Sequence, residues 1–293
     1  MVGRGGFVER NLKYIFPLPA IIFVFLLMIF PVFYTLFISF TDWSLTSGRP
    51  MRFVGLQSYF TVLGNNRFHL AFVRTLTFTI GAVAVEAVLG TIIAIILHRE
   101  FIGKNLLKFL LLLPLVVTPV AIGIVFNLFY DPTIGFLNWV LSTMGLPTSG
   151  WVTNASTVLP SLIMVDVWQW TPMIALIVLA GLSSLSNEPF ESARVDGANA
   201  AQTFFRITLP MIMPTVLTAI VLRAVDALKT YDIIYAMTRG GPGYASETLN
   251  ILAYKFSFEY FTMGHSSSVL VFLFLLVLSF SILVMKVRKR FEL

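Results

Sequence analysis

The chain has 293 residues, 57% hydrophobic and only 12% charged, with a mean hydropathy of +0.88. Soluble domains carry about 45–50% apolar and about 25% charged residues, so this composition excludes a cytosolic enzyme, a disordered regulator and a nucleic-acid binder. The formal net charge of +6 is not gathered into a nucleic-acid-binding face, and the absence of cysteine removes disulfides, thiolate metal sites and cysteine nucleophiles.

Six apolar stretches follow one another at residues 14–40, 72–97, 106–130, 158–182, 211–237 and 266–285. Each approaches the ~20 residues a helix needs to cross ~30 Å of hydrocarbon. Helices are expected because lipid offers the backbone no hydrogen-bond partner. The first stretch has no charge between Lys13 and Asp42. It is too long for a signal-peptide core and no small-x-small cleavage site follows, which predicts a retained helix. The second contains Arg74 and Glu86, the third is charge-free after Lys108, and the fourth encloses Asp166. The fifth is apolar in its first half and charged in its second. Pro31, Pro114, Pro119 and Pro172 sit inside spans, where membrane helices tolerate them.

Lys and Arg placement orients the spans. One side holds Arg4, Arg10, Lys13, Arg99, Lys104, Lys108, Arg194, Arg206, Lys286, Arg288, Lys289 and Arg290. The other holds Arg49, Arg52, Arg67, Arg74, Arg239 and Lys255. The richer set is expected in the cytoplasm, with both termini. Loops 41–71, 131–157 and 239–265 then face out, carrying Trp43, Trp139 and Trp151. No repeat or soluble domain interrupts residues 1–293, which read as a single transmembrane domain. No phosphate-binding GxxxxGK[ST] loop is present.

The cytoplasmic segment 183–209 reads as two short helices. Asn187 is expected to cap the first, with Glu188 and Pro189 in its first turn. Gly197 is expected to end it in a left-handed conformation. The second is predicted over 199–208, with Phe204, Phe205 and Ile207 as anchors, before Pro210 opens the fifth span. On physical grounds the segment is either an amphipathic interfacial loop or a docking knob for a soluble partner.

Glu191-Ser192-Ala193, three residues, Gly197, nine residues, then Ile207-x-Leu209-Pro210 resembles the EAA motif of ABC importer permeases. Ser192 replaces the motif's first alanine. Trp168-Gln-Trp-Thr-Pro172, Asp196-Gly-Ala198, Tyr231-Asp232-Ile-Ile-Tyr235 and Thr238-Arg-Gly-Gly-Pro242 are similar to the carbohydrate branch, the maltose-type and glycerol-phosphate-type importers. The resemblance implies an all-α polytopic protein of six transmembrane helices with the type I importer permease (MetI-like) fold. It implies a subunit in the bacterial inner membrane that forms half of a path for a sugar or sugar-like solute, with no bond chemistry, cofactor or metal. The implied partners are a second homologous permease in a heterodimer, two cytoplasmic ABC ATPase subunits and an extracytoplasmic solute-binding protein. Glu191, Ser192, Ala193, Asp196, Gly197, Ile207, Leu209 and Pro210 would form the ATPase-coupling loop.

Ionisable groups inside a membrane are functional candidates. Arg223, Asp226, Lys229 and Asp232 recur every three residues with alternating sign. On a helix rising 1.5 Å per residue, Arg223 lies about 18 Å from the inner edge and Asp232 about 31 Å. Asp166 falls at a depth similar to Arg223, and Glu86 is also near the middle. Two readings stand for this set, mutual neutralisation and pore lining. The path candidates are Asp166, Trp168, Lys229, Thr230, Asp232, Tyr235 and Ser266. Lys229 suits either sugar hydroxyls or an anionic group. The alternatives are a permease for glycerol phosphate, a polyol or a sulfonated sugar, a self-contained secondary transporter, and a membrane enzyme. Against an enzyme, His69, His98 and His265 lie in separate segments.

Overall fold

A computed structural model describes residues 13–288, and helices make up almost all of their regular structure. The cations Arg4, Arg10, Lys289 and Arg290, used above for orientation, lie outside the described residues. Two compact units form, one from residues up to Asn65 with Ala253–Phe272, the other from Asn66–Leu252 with residues from Leu273 onward.

The first unit opens with α1 (Lys13–Ile38), apolar throughout and exposed along almost its whole length. Such a surface needs lipid or another protein against it. After α1 the chain turns on local hydrogen bonds. The Ser58 hydroxyl, on α2 (Gln57–Leu63), donates to the Thr41 carbonyl at 2.9 Å. A Cβ at Gly264 would sit 2.1 Å from that same carbonyl oxygen, so the close approach requires glycine.

The second unit holds α3 (Asn66–His98), α4 (Lys104–Val116), α5 (Pro119–Phe129), α6 (Phe136–Thr143) and α7 (Val158–Ser183). It continues with α8 (Glu188–Val195), α9 (Ala200–Leu228) and α10 (Asp232–Thr238). Helices α11 (Leu249–Phe258) and α12 (Met263–Arg288) close the described chain. By length and hydropathy α1, α3, α7, α9 and α12 can each cross a bilayer, and α4 with α5 passes the same test only as a bent pair, which as one span makes a sixth.

That sixth span corrects the expectation of one continuous helix over 106–130. Helices α4 and α5 meet at 100°. Val117 and Thr118 are both extended (ψ 138° and 142°). Pro119 explains the break: it has no N–H to bond back, and its ring disfavours helical geometry in the residue before it.

The fifth span differs as well. Helix α9 starts early, at Ala200, and ends at Leu228 instead of running on to Met237. The Lys229 carbonyl left over at its end accepts from Asn250 Nδ2 at 2.7 Å. Beyond α5, the Asp131 carboxylate accepts from the Ile134 and Thr133 N–H groups at 3.0 and 2.8 Å. These bonds hold its carboxyl below the usual carboxylate range.

Helices α3, α7 and α9 pack on one another. Ala94, Ile174, Val178, Leu182, Ile212 and Val216 form one buried cluster among them. Small residues bring the backbones together. A Cβ on Gly90 of α3 would lie 2.8 Å from Ile174 of α7, and one on Gly181 of α7 would lie 2.7 Å from Thr215 of α9. Outside this trio, Arg67 grips Glu247 with two 2.5 Å hydrogen bonds and lies 4.0 Å from the Tyr244 ring centre. Replacing Gly90 with valine forces α3 and α7 apart. We expect a loss of about 1–3 kcal/mol, seen as a lower midpoint of thermal unfolding in detergent. An unchanged midpoint would show that this contact can relax without cost.

Candidate functional site

A cavity of about 260 Å³ opens in the second unit. Its wall is built from four places in the sequence: Pro119 at the start of α5; Asp166, Gln169 and Trp170 on α7; Arg223 and Asp226 on α9; and residues 229–233. On α7 the spacing i, i+3, i+4 puts the three side chains on one helical face. On α9 the i, i+3 spacing does the same. Because α9 stops at Leu228, Lys229, Thr230 and Asp232 are not the next turns of a straight row. They belong to a linker and to the first turn of α10, folded round the cavity.

The wall rests on a buried charge cluster. Arg223 Nε lies 2.9 Å from Glu86 Oε2 on α3, and Arg223 Nη2 donates to Asp166 Oδ2 on α7. All three side chains are at most 1% exposed. A guanidinium has five N–H donors in a planar fork, so a single arginine can serve two carboxylates. Its Cζ also lies 5.2 Å from the Trp170 ring centre, within range of a cation–π contact. For Arg223, Glu86 and Asp166 the structure favours mutual neutralisation, and it places Asp166 and Arg223 at the cavity too.

Gln169 was not singled out from the sequence. Its Nε2 donates to the Val117 carbonyl at 3.4 Å, so it partners a backbone group freed by the bend between α4 and α5. A carbonyl can only accept, which fixes the amide orientation and leaves Oε1 as the other end. That Oε1 is buried with no hydrogen-bond partner among the described residues. The only advance signal was its place in the Trp-Gln-Trp run.

The other path candidates divide. Lys229 Nζ lies 3.4 Å from Asp226 Oδ1, both side chains about half exposed (52% and 50%). Trp168 turns away from the cavity into an apolar groove with Leu110, Pro114 and Pro172, its ring 5.4 Å from Phe126. Tyr235 stacks on Tyr231 at 5.2 Å; Tyr231 lines the cavity and Tyr235 does not. Ser266 is buried, donating to the Ala253 carbonyl at 2.7 Å and accepting from the Ser257 hydroxyl at 2.6 Å.

Segment 183–209 forms a compact turn. Gly197 takes φ +75°, as its position predicts. The Ala198 N–H bonds the Ala193 carbonyl at 2.9 Å and the Gly197 N–H bonds the Arg194 carbonyl at 3.2 Å. This is a Schellman termination of α8. Asn199 then starts α9 with a reciprocal capping box, each partner of Asn199 and Gln202 bonding the other's N–H at 2.9 Å. Asn187 makes no side-chain cap, contrary to expectation, because its own backbone is already helical (φ −77°, ψ −20°). Glu191, Ser192, Asp196, Gly197 and Pro210 are exposed, Ile207 and Leu209 half-buried, and Ala193 buried. Val195 stands out at 88% exposed.

Removing Arg223 alone strands two buried carboxylates. Arg223→Leu is therefore expected to cost about 3–5 kcal/mol and to give little monodisperse protein on gel filtration in detergent. Adding Glu86→Gln and Asp166→Asn should restore part of that yield. A well-behaved single variant would mean that water reaches the cluster.

Residues 86–292 match the family described as binding-protein-dependent transport system inner membrane component. A probable ABC transporter permease protein, y4oQ of Sinorhizobium fredii, is 37% identical over 92% of this chain and 89% of its own length. The trehalose/maltose transport system permease protein MalF of Thermococcus litoralis is 34% identical over 95% of this chain and 94% of its own. In fold, the chain superposes with a TM-score of 0.84 on a chain of a bacterial alginate ABC transporter crystallised with an alginate pentasaccharide-bound periplasmic protein. That match has 20% identity and covers 97% of this chain and 96% of the other. The motif in 183–209, the six spans and these likenesses agree, and the chain belongs to the inner-membrane permease family of binding-protein-dependent ABC transport systems.

Proposed function

We propose that this chain forms half of the translocation path of an ABC importer for a sugar or sugar-like solute. A second, different permease supplies the other half. Two cytoplasmic ATPases drive the pair, and an extracytoplasmic binding protein delivers the solute. Both termini face the cytoplasm. The chain itself makes and breaks no bonds.

The observation that carries this reading is the turn at Gly197. Helix α8 is closed by a Schellman motif and α9 opened by a capping box two residues later, so the exposed face of α8 is held rigidly at the start of a membrane span. A push on Glu191, Ser192 or Val195 is then transmitted along α9 to Arg223 and the cavity. Asp196 and Gly197 set the angle of the knob. Ile207, Leu209 and Pro210 carry the load into the span. Ala193 packs inward and seats the knob. Rigid-body rocking of the two permeases about a site near the midplane follows from such a linkage.

The solute path on this chain runs through Asp166, Lys229, Thr230 and Asp232, with Gln169, Trp170 and Asp226 beside them. The sugar assignment is supported by the trehalose/maltose relative. Glycerol phosphate, a polyol or a sulfonated sugar would use the same scaffold, and uptake assays separate them.

A tag on this chain should bring down one further permease, an ATPase and the binding protein from detergent extracts. Alone in vesicles, the purified chain should move no solute uphill. At Gly197 a side chain would meet no neighbour within 4 Å, so only the left-handed backbone resists substitution. Gly197→Val should therefore leave membrane insertion intact and reduce ATP-driven uptake to background. Normal uptake by that variant would remove the coupling role from this turn.

A further inference from the structure

The charges around the cavity are not balanced, and the imbalance bears on what can pass. Three carboxylates line it, Asp166, Asp226 and Asp232, against two cations, Arg223 and Lys229. Glu86 lies behind Arg223, away from the cavity, and its charge is not part of the wall. Neither cation is free. Arg223 is shared between Glu86 and Asp166, and Lys229 sits beside Asp226. Asp232 is exposed and has no ion-pair partner among the described residues.

The uncharged groups lean the same way. Gln169 lines the cavity and is 2% exposed; one of its two N–H donors goes to the Val117 carbonyl, and its Oε1 acceptor has no partner among the described residues. A buried acceptor without a donor is costly, and a hydroxyl brought by a solute would relieve it. Among the described residues, the wall therefore presents an unpaired carboxylate at Asp232 and an unpartnered acceptor at Gln169, with each cation beside a carboxylate.

We infer that the solute crossing this half of the path is uncharged and rich in hydroxyl donors, and that anionic sugars are excluded. The inference rests on the importer reading above and narrows it. Hydroxyl groups can donate to Asp232, to Asp226 and, once Gln169 is reached, to its Oε1. A phosphate, sulfonate or carboxylate would face Asp232, which has no ion-pair partner among the described residues. The half-exposed cation of the wall, Lys229, lies 3.4 Å from Asp226, so an anion drawn to Lys229 would meet two carboxylates there. Like charges at short range repel, and this repulsion at the exposed Asp232 is screened by water and salt. Lys229, which on sequence alone suited either sugar hydroxyls or an anion, thus serves chiefly to neutralise Asp226.

The test is uptake by the complete importer, reconstituted in proteoliposomes with ATP and its own binding protein. The probes are labelled trehalose, maltose and sorbitol, set against glycerol 3-phosphate, a glucuronate-bearing disaccharide and a sulfonated hexose. ATP-dependent uptake of at least one uncharged probe, at ten-fold or more over every anionic one, is expected. Gln169→Leu should raise the KM for the preferred probe by about ten-fold while solute-loaded binding protein still stimulates ATP hydrolysis. Preferred uptake of an anionic probe overturns the charge inference and leaves the importer reading standing. An unchanged KM in Gln169→Leu removes Gln169 from the path. If no uncharged probe is taken up the inference fails, and if no probe of either kind is taken up the importer reading fails with it.

Discussion

A guanidinium shared by two carboxylates, all of them away from water, is the constraint on which the second unit is built. Arg223, Glu86 and Asp166 come from α9, α3 and α7, three helices that also meet one another through an apolar cluster and close approaches at Gly90 and Gly181. Apolar surfaces in a membrane slide easily, because lipid competes on equal terms with protein. A charged cluster cannot slide, since one turn of displacement along any of the three helices would separate opposite charges in a medium that solvates neither. It therefore fixes helical register where packing alone specifies it weakly. The cavity inherits that register, because two members of the cluster are also part of its wall.

Around this anchor the path is made from places where helices fail to continue. The bend at Val117 and Thr118 releases backbone groups that a straight helix would have satisfied, and Gln169 takes one of them. The stop at Leu228 releases the Lys229 carbonyl, and Asn250 takes it. Irregular backbone at membrane depth is tolerated only where it lies within protein or lines a cavity. Both interruptions border the same cavity.

Much of this was legible beforehand, for physical reasons that can be named. The spans follow from apolar length. The Gly197 turn follows from the one residue that adopts φ +75° freely. Asp166 and Arg223 read at similar depth in the sequence, and their pairing is seen only in the structure. Pro119 carried the signal for the break in the third span, though proline tolerance in membranes argued for ignoring it. Asn199 and Gln202, three residues apart, carry the sequence signature of a capping box, and the structure forms it there. The end of α9 had no such mark. The carbonyl at that end accepts from Asn250, 21 residues away in sequence, a partner that local pattern does not reveal. The surroundings of Trp168, Tyr235 and Ser266, a groove, a stacked ring and two hydroxyl bonds, come from three-dimensional packing that residue type does not encode.

The clasp between Arg67 and Glu247 has a bearing on how the chain is made. Its two ends are separated by 180 residues. During synthesis the arginine waits, hydrated and alone, at the head of α3 while four more spans are threaded into the bilayer. Only when the chain beyond α10 has emerged does its counter-charge arrive. The clasp can thus take no part in choosing which way the early helices point. It closes after that choice has been made.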